Sequence, residues 1–177
     1  MPDVDVVVIG AGPGGSVTAR EAKRTAPALD VVLLERDRAV GVPVRCGEGV
    51  GEAGLREFVD PDGADWVSRK MRRVIFVAPD DTEVIVAERN FGYVLDRTRF
   101  DAFLAAEAAG DGVELLCGTE AVGLERSARG WRVRVRGVRG DEELDARVVI
   151  GADGVEAMVG RWAGLDLRVP ARDMESC

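Results

Sequence analysis

The spacing of apolar and polar positions changes several times along the 177 residues, and each change marks an element. Val4 to Ile9 is a β-branched run with little polar alternation, the pattern of a central parallel strand covered on both faces. Val31 to Leu34 repeats that pattern and ends in Glu35. Between the two, Gly14 to Thr25 predicts a helix whose Val17, Ala19, Ala22 and Ala26 are small enough for close sheet packing, with Pro27 marking its end. Strand, helix and strand then form one right-handed crossover unit.

The middle of the chain reads differently. Gly41 to Gly54 carries glycines at 41, 47, 49, 51 and 54 plus Pro43, too many for a helix or a regular strand, and is expected as a backbone-dominated loop. Arg72 to Ala78 and Glu83 to Ala87, joined by Pro79-Asp80-Asp81-Thr82, predict an antiparallel hairpin, with Phe91 to Leu95 pairing beside it. Thr98-x-x-Asp101 resembles a capping box at the start of a helix that Gly110 stops. Val113 to Cys117 is a short strand. Trp131 to Arg136 alternates apolar residues with arginines, giving one apolar and one basic face, and the basic face is expected to be solvated. With Ala121 to Glu125 and Glu142 to Ala146 it predicts a three-stranded antiparallel meander inserted into a parallel-sheet protein, after which Arg147 to Ile150 resumes a buried strand. A helix is expected from Val155 to Trp162, and there is no internal repeat.

Composition narrows the chemistry. Apolar residues at 46% and charged residues at 32% are those of a folded globular chain. The net charge of −8 gives no long-range attraction to nucleic acid, so no nucleic-acid partner is expected. With no histidine, mechanisms that need an imidazole are excluded within this chain. Cys46, Cys117 and Cys177 are odd in number and widely spaced, which fits a reducing cytoplasm better than a disulfide scaffold or a zinc site. Val4 to Ile9 is too short to span a bilayer, so a cytoplasmic location is expected.

The most informative segment is Gly10-Ala11-Gly12-Pro13-Gly14-Gly15, a G-x-G-x-x-G directly after a predicted strand and before a predicted helix. Gly10 permits the tight turn, Gly12 admits a pyrophosphate to the backbone, and Gly15 allows close helix–strand packing. Glu35, twenty residues after Gly15, is placed to accept hydrogen bonds from ribose hydroxyls and would repel a 2′-phosphate. This is a Rossmann-type site for the ADP half of a dinucleotide, and the fingerprint alone does not separate FAD from NAD.

The segments downstream separate them. A glycine loop, a hairpin and a meander intervene before Val148-Val149-Ile150-Gly151-Ala152-Asp153-Gly154, where a nicotinamide dehydrogenase would continue with strand–helix units. Here the chain resembles the FAD-dependent family that includes p-hydroxybenzoate hydroxylase, whose G-A-D-G segment implies that Asp153 and Gly154 touch the cofactor. Ala157 stands where members of that family often carry serine. Pro43-Val44-Arg45-Cys46-Gly47-Glu48-Gly49-Val50 is similar to the C-G-E-G loop of the geranylgeranyl reductases, and Asp96-Arg97-Thr98-Arg99-Phe100-Asp101 to their D-R-x-x-F-D segment.

The resemblance implies an FAD-dependent oxidoreductase that reduces C=C bonds of geranylgeranyl chains, with an isoprenoid lipid as substrate and NAD(P)H or a ferredoxin as electron donor. Its cofactor-binding set is Gly10, Gly12, Gly14, Gly15, Ser16, Glu35, Arg36, Arg45, Cys46, Gly47, Gly49, Arg97, Ala121, Asp153 and Gly154. Cys46 is either a small residue lining the flavin pocket or a proton or redox participant, and Glu48 either tunes the flavin or caps a turn. Cys117 and Cys177 are expected to have no chemical role, and Trp66, Trp131 and Trp162 are expected to be packing anchors. No metal is expected. The implied peripheral contact with the inner face of the cell membrane follows from the lipid substrate.

The fold class expected is α/β, a Rossmann-like FAD-binding domain with a parallel sheet and an antiparallel meander, plus the start of a second antiparallel substrate-domain sheet. Residues 1–70 and 96–165 are expected in the first, and 71–95 and 166–177 in the second. The chain reads as the first part of a family member, since no segment matches the one that holds the flavin ring. Two rivals remain open: a flavin-dependent aromatic monooxygenase and a non-catalytic dinucleotide-binding fragment.

Overall fold

The first elements follow from the apolar periods: β1 (Asp3–Ile9), α1 (Pro13–Thr25) and β2 (Val31–Glu35). The computed structural model describes residues 3–44, 46, 48–138 and 140–167. Among these, residues 3–42 and 101–167 form one unit and 43–100 another, so that 43–70, read from sequence with the first domain, group with the hairpin.

In the first unit β1 and β2 pair in parallel, and β6 (Glu114–Cys117) adds to β2, again in parallel. On the other side lie β9 (Gly140–Gly151), β8 (Gly130–Gly137) and β7 (Glu120–Ser127), giving the order β6-β2-β1-β9-β8-β7. The expected meander is therefore part of the same sheet. Glu142–Ala146 and Arg147–Ile150, read as two strands, are one. Its first half runs antiparallel to β8 and its second parallel to β1, with Ala146 pairing both Trp131 and Val4. Arg147, within the strand, donates from its Nη1 to Asp5 on β1 at 3.0 Å. The second half is less buried than expected, with Val148 exposed.

Two apolar layers flank β1 and β2. On one face Val6, Val8, Val31 and Leu33 pack against Ala19 of α1, and Ala105 and Ala108 of α3 (Arg97–Gly110). On the other, Val7, Ile9, Val32 and Leu34 meet Val133, Val135, Leu144 and Ala146 of the meander and Val159 of α4 (Met158–Trp162). Burial of each valine, leucine or isoleucine side chain in these layers contributes about 1.5–3 kcal/mol. The basic face of β8 is not simply solvated: Arg132 pairs with Asp145 at 3.2 Å and Arg136 with Asp141 at 3.0 Å. Those acids alternate along the neighbouring strand, so the two charge rows meet.

In the second unit the glycine-rich stretch is more regular than expected. It contains β3 (Gly49–Gly51) and α2 (Glu52–Arg56). β3 is admitted because Gly92 faces it: a Cβ on Gly92 would overlap the Val50 carbonyl oxygen. β4 (Val67–Val77) and β5 (Glu83–Leu95) form the predicted hairpin, but Phe91–Leu95 is the continuation of β5, not a separate strand, and pairs with Val67–Met71 across a register shift. Trp66, Tyr93, Leu95, Leu55 and Phe100 are buried there, whereas Ile75, Phe76, Val77, Val84 and Ile85 on the outer half of the hairpin are exposed.

The N-terminus of α3 also differs. The helix starts at Arg97, and the cap is Asp96, whose Oδ1 accepts the Arg99 N–H at 3.2 Å. Thr98 lies inside the first turn and Asp101 is buried within the helix, so neither acts as the expected capping pair.

Candidate functional site

β1 ends between two neighbours that fix the turn after it. Gly10 N–H donates to Leu34 O and Ala152 N–H donates to Ile9 O, both at 2.8 Å. Gly10 has φ +103, and a Cβ there would overlap the Ala152 carbonyl; a Cβ on Gly15 would overlap the Gly10 carbonyl oxygen. These two glycines are required by the protein itself. Gly12 and Gly14 are different, since a Cβ on either would meet nothing within 4 Å. The space they leave open lies at the N-terminus of α1, where Pro13 begins the helix and unpaired N–H groups favour an anion. That is a cradle suited to a pyrophosphate. Ser16 is fully buried and its hydroxyl donates to Ala11 O at 2.9 Å, so its side chain serves the turn.

Glu35, at the end of β2, reaches back to this turn. Its Oε2 accepts the Ala11 N–H and its Oε1 the Asp37 N–H, each at 2.9 Å, which fixes a half-buried carboxylate at the crevice. The β6–β7 connection closes against the same strand end, with Thr119 N–H on Glu35 O and Gly118 N–H on Asp37 O. Ala121 follows in β7, half-buried against the meander core. Cys117 pairs in register with Glu35 and is exposed. Partial burial and the Glu35 charge push its thiol up.

The exit from β9 forms the other wall. Asp153 Oδ2 accepts the Val159 N–H at 3.0 Å and so anchors α4, while Gly154 takes φ +73. A 3-10 turn, Gly154–Glu156, leads to Ala157 in the left-handed region at φ 47. Arg36 Nη1 donates to Glu156 Oε2 at 2.9 Å, and that contact raises the guanidinium pKa. Glu156 had no signal in the sequence, because its partner lies 120 residues away and only the strand order brings them together.

The residues of this unit fit the ADP half of a dinucleotide: a cradle that a side chain would fill, helix N–H groups, and an acid beside it. The structure brings Gly10, Gly12, Gly14, Gly15, Glu35, Arg36, Asp153 and Gly154 to the C-terminal ends of β1, β2 and β9. Brought together here too, Ser16 keeps its hydroxyl on Ala11.

In the second unit Cys46 is exposed and its Sγ accepts the Glu48 N–H at 3.4 Å. Glu48 has φ +63, its carbonyl accepts the Leu95 N–H at 3.0 Å, and Gly49 opens β3. Glu48 therefore shapes the turn. Arg97 is half-buried in the first turn of α3. Arg45 and Gly47 lie outside the described residues, as does Cys177. Sequence reasoning missed an ionic cluster next to this loop, although the Glu52-x-x-x-Arg56 spacing was its signal. Arg56 reaches Glu52 at 2.8 Å, Asp62 at 2.9 Å and Tyr93 Oη at 3.1 Å, and Lys70 Nζ stands 3.2 Å from Glu52 Oε2. Hydrogen bonds from Arg56 hold the Asp62 and Glu52 carboxyls below their ordinary range.

No group of three or more metal-ligating side chains occurs among the described residues, and no helix there is long and apolar enough to cross a membrane.

Residues 3–176 match the family described as an FAD binding domain. The chain is 44% identical over 181 residues to the digeranylgeranylglycerophospholipid reductase of Methanocella arvoryzae, covering 99% of this chain and 45% of the relative. It is 43% identical to the reductase of the same name from Methanothrix thermoacetophila, covering 98% and 45%. Among solved structures, a geranylgeranyl bacteriochlorophyll reductase-like protein from Thermoplasma acidophilum superposes with a TM-score of 0.86 at 33% identity, covering 97% of this chain and 44% of the other. The p-nitrophenol 4-monooxygenase of Pseudomonas putida, at 19% identity and TM-score 0.77 over 94% and 45% of the two chains, shares the fold. The chain thus spans a little under half the length of the curated relatives it matches.

Proposed function

The chain belongs to the FAD binding domain family, with FAD as its cofactor, and from that membership we propose that it works in an oxidoreductase that reduces C=C bonds of geranylgeranyl lipid chains. The reading is supported most by the identity of 44% to a curated digeranylgeranylglycerophospholipid reductase along nearly the whole chain. FAD supplies the hydride chemistry when bound. The protein's own part is orientation. Gly12 and Gly14 with the N-terminus of α1 receive the pyrophosphate, Glu35 accepts from ribose hydroxyls, Ala121 offers backbone to the adenine end, and Asp153 and Gly154 line the same crevice.

In this proposal Arg45, Cys46, Gly47, Gly49 and Arg97 serve the flavin, and glycine N–H groups approach it because no Cβ intervenes. Cys46 lines that loop as a small side chain. The hairpin 71–95 begins the substrate-side sheet, and its exposed apolar residues suit an isoprenoid chain. The electron donor is NAD(P)H or a ferredoxin, and the protein works in the cytoplasm against the inner face of the membrane.

The test is to supply the chain, together with any sequence its gene encodes on either side, with FAD, a reductant and a geranylgeranyl lipid under anaerobic conditions. Saturated product by mass spectrometry is expected. Substrate-dependent oxygen uptake with an aromatic compound instead would identify the monooxygenase alternative.

A further inference from the structure

The ion pair between Arg36 and Glu156 is placed by topology. Arg36 directly follows β2, and Glu156 ends the 3-10 turn that follows β9. In the sheet β1 lies between those two strands, so their C-terminal ends stand two strand spacings apart, about 9–10 Å. The glycine turn leaves the sheet between them. A contact of 2.9 Å from one side to the other therefore spans the crevice above the Gly10–Gly15 turn.

Both side chains are close to half exposed, so the bridge has one face toward solvent. It is also tied down at each root. The backbone on either side of Arg36 is fixed by Glu35 and Asp37, which hydrogen-bond to each other and to the β6–β7 connection. Glu156 sits between Gly154 at φ +73 and Ala157 at φ 47, a turn closed by the Ala157 N–H on Gly154 O.

We propose that Glu156 is a positioning residue for the adenosine half of the cofactor: it holds the Arg36 guanidinium across the crevice as a flat cover for the adenine ring. The inference rests on the reading of this crevice as the ADP cradle. An unpaired arginine at the surface samples many rotamers, and ordering it on binding costs entropy. Pairing its edge with a carboxylate removes part of that cost beforehand and leaves the guanidinium face free to stack on a neutral base. Because the edge and charge are engaged by Glu156, the pair suits a nucleobase better than a second phosphate contact.

The experiment titrates ADP and FAD into the 177-residue chain and into E156A, E156Q, R36A and the R36A/E156A double variant, at low salt and at 0.5 M salt. At low salt, E156A and E156Q are expected to bind both ligands threefold to tenfold more weakly. The double variant is expected to lose no more than R36A, because Glu156 acts through Arg36. The loss from E156A shrinks at high salt, since an exposed pair is screened, whereas damage to the turn would not depend on salt. Thermal melting checks each variant, and E156Q serves if E156A does not fold. Binding by E156A and E156Q as tight as the starting chain, or tighter because a negative charge has left the crevice, overturns the inference. So does a double variant in which the two losses add. G12V separates the two levels: if it retains ADP binding, the crevice reading fails and the inference with it. If G12V abolishes binding while E156A and E156Q are harmless, only the role of Glu156 falls.

Discussion

The unit around β1 and the unit around the β4–β5 hairpin are held by different forces. In the first, a central strand is buried on both faces, and β-branched and leucine side chains meet small residues from two helices and an antiparallel meander. In the second, a small aromatic core around Trp66 and Tyr93 sits beside a cluster in which Arg56 joins Glu52, Asp60, Asp62 and Tyr93. Apolar packing is indifferent to pH, and the fit of backbone to backbone tolerates no added atoms. An ionic cluster depends on charge state and salt. Each unit should therefore fail under conditions the other survives.

The largest effects are expected at the glycine turn. Gly15→Val places a side chain into the Gly10 carbonyl and is expected to cost the first unit at least about 4 kcal/mol, enough to leave it unfolded in far-ultraviolet circular dichroism. Gly12→Val is the contrast, because its Cβ meets open space and its φ of −65 is ordinary. That variant should fold with a near-normal melting temperature yet lose FAD affinity by more than about a hundredfold, roughly 2.7 kcal/mol. A Gly12→Val chain that still binds would remove this glycine from the pyrophosphate site.

Next in size is the acid at the end of β2. Glu35→Ala should weaken FAD by at least about tenfold, or 1.4 kcal/mol, and also leave the Ala11 and Asp37 N–H groups without their acceptor. Glu48→Ala, in the other unit, should leave affinity for ADP unchanged. Equal losses in a flavin titration would mean that Glu35 does not meet the ribose.

Acid should separate the units directly. Glu52 and Asp62 have carboxyls held below their ordinary values of 4.5 and 3.8 by Arg56. Groups made more acidic by folding stabilise the folded state above the ordinary value, and that stability is lost as pH falls through the lowered one. The second unit should therefore loosen as pH falls through the lowered pKa values of these carboxyls, below their ordinary range, before the apolar core around β1 does. Asp5, lowered mainly by its bond from the Asp30 N–H, is the matching carboxyl in the first unit. Trp66 reports on the second unit alone once Trp131 and Trp162 are replaced by phenylalanine. Its fluorescence should change at higher pH than the circular dichroism, and Arg56→Met should reduce the ionic dependence, leaving the Lys70–Glu52 pair. Coincident transitions would show that the cluster does not set the acid limit.

The difference between the units also explains what the sequence made legible. β1, α1, β2 and the turn between them follow from local periodicity and spacing, although the need for glycine at position 10 also comes from Ala152, far along the chain. The continuity of β9 was hidden because its two halves pair with different neighbours, antiparallel to β8 and parallel to β1, and so read as two strands. β3 and α2 were hidden by their glycines, and only Gly92 across the strand pair shows why that backbone can pair. Glu156 was hidden entirely, since its position depends on strand order. Charge partners on β8 and β9 could have been read, as arginines alternate on one and acids on the other.

The smallest expected effect compares strain in the two units. Ala157 and Glu48 both hold the left-handed conformation, at φ 47 and φ 63, where a Cβ crowds the backbone and glycine does not. Replacing either by glycine removes that cost, of order 1 kcal/mol, while the greater freedom of glycine in the unfolded chain returns part of it. For Ala157→Gly the side chain lost is one methyl, half-buried at most, so the conformational gain dominates. A net stabilisation of about 0.5 kcal/mol is expected, a rise of about 2 °C in the melting of the first unit. Glu48→Gly should stabilise the second unit less, since the added flexibility falls in a stretch already rich in glycine, where the turn is held by the Glu48 N–H on Cys46 Sγ and the Leu95 N–H on the Glu48 carbonyl. The comparison is made by melting each variant with Trp66 and circular dichroism recorded together. A destabilised Ala157→Gly chain would show that the turn after β9 needs the methyl group for packing more than it needs relief from its backbone angle.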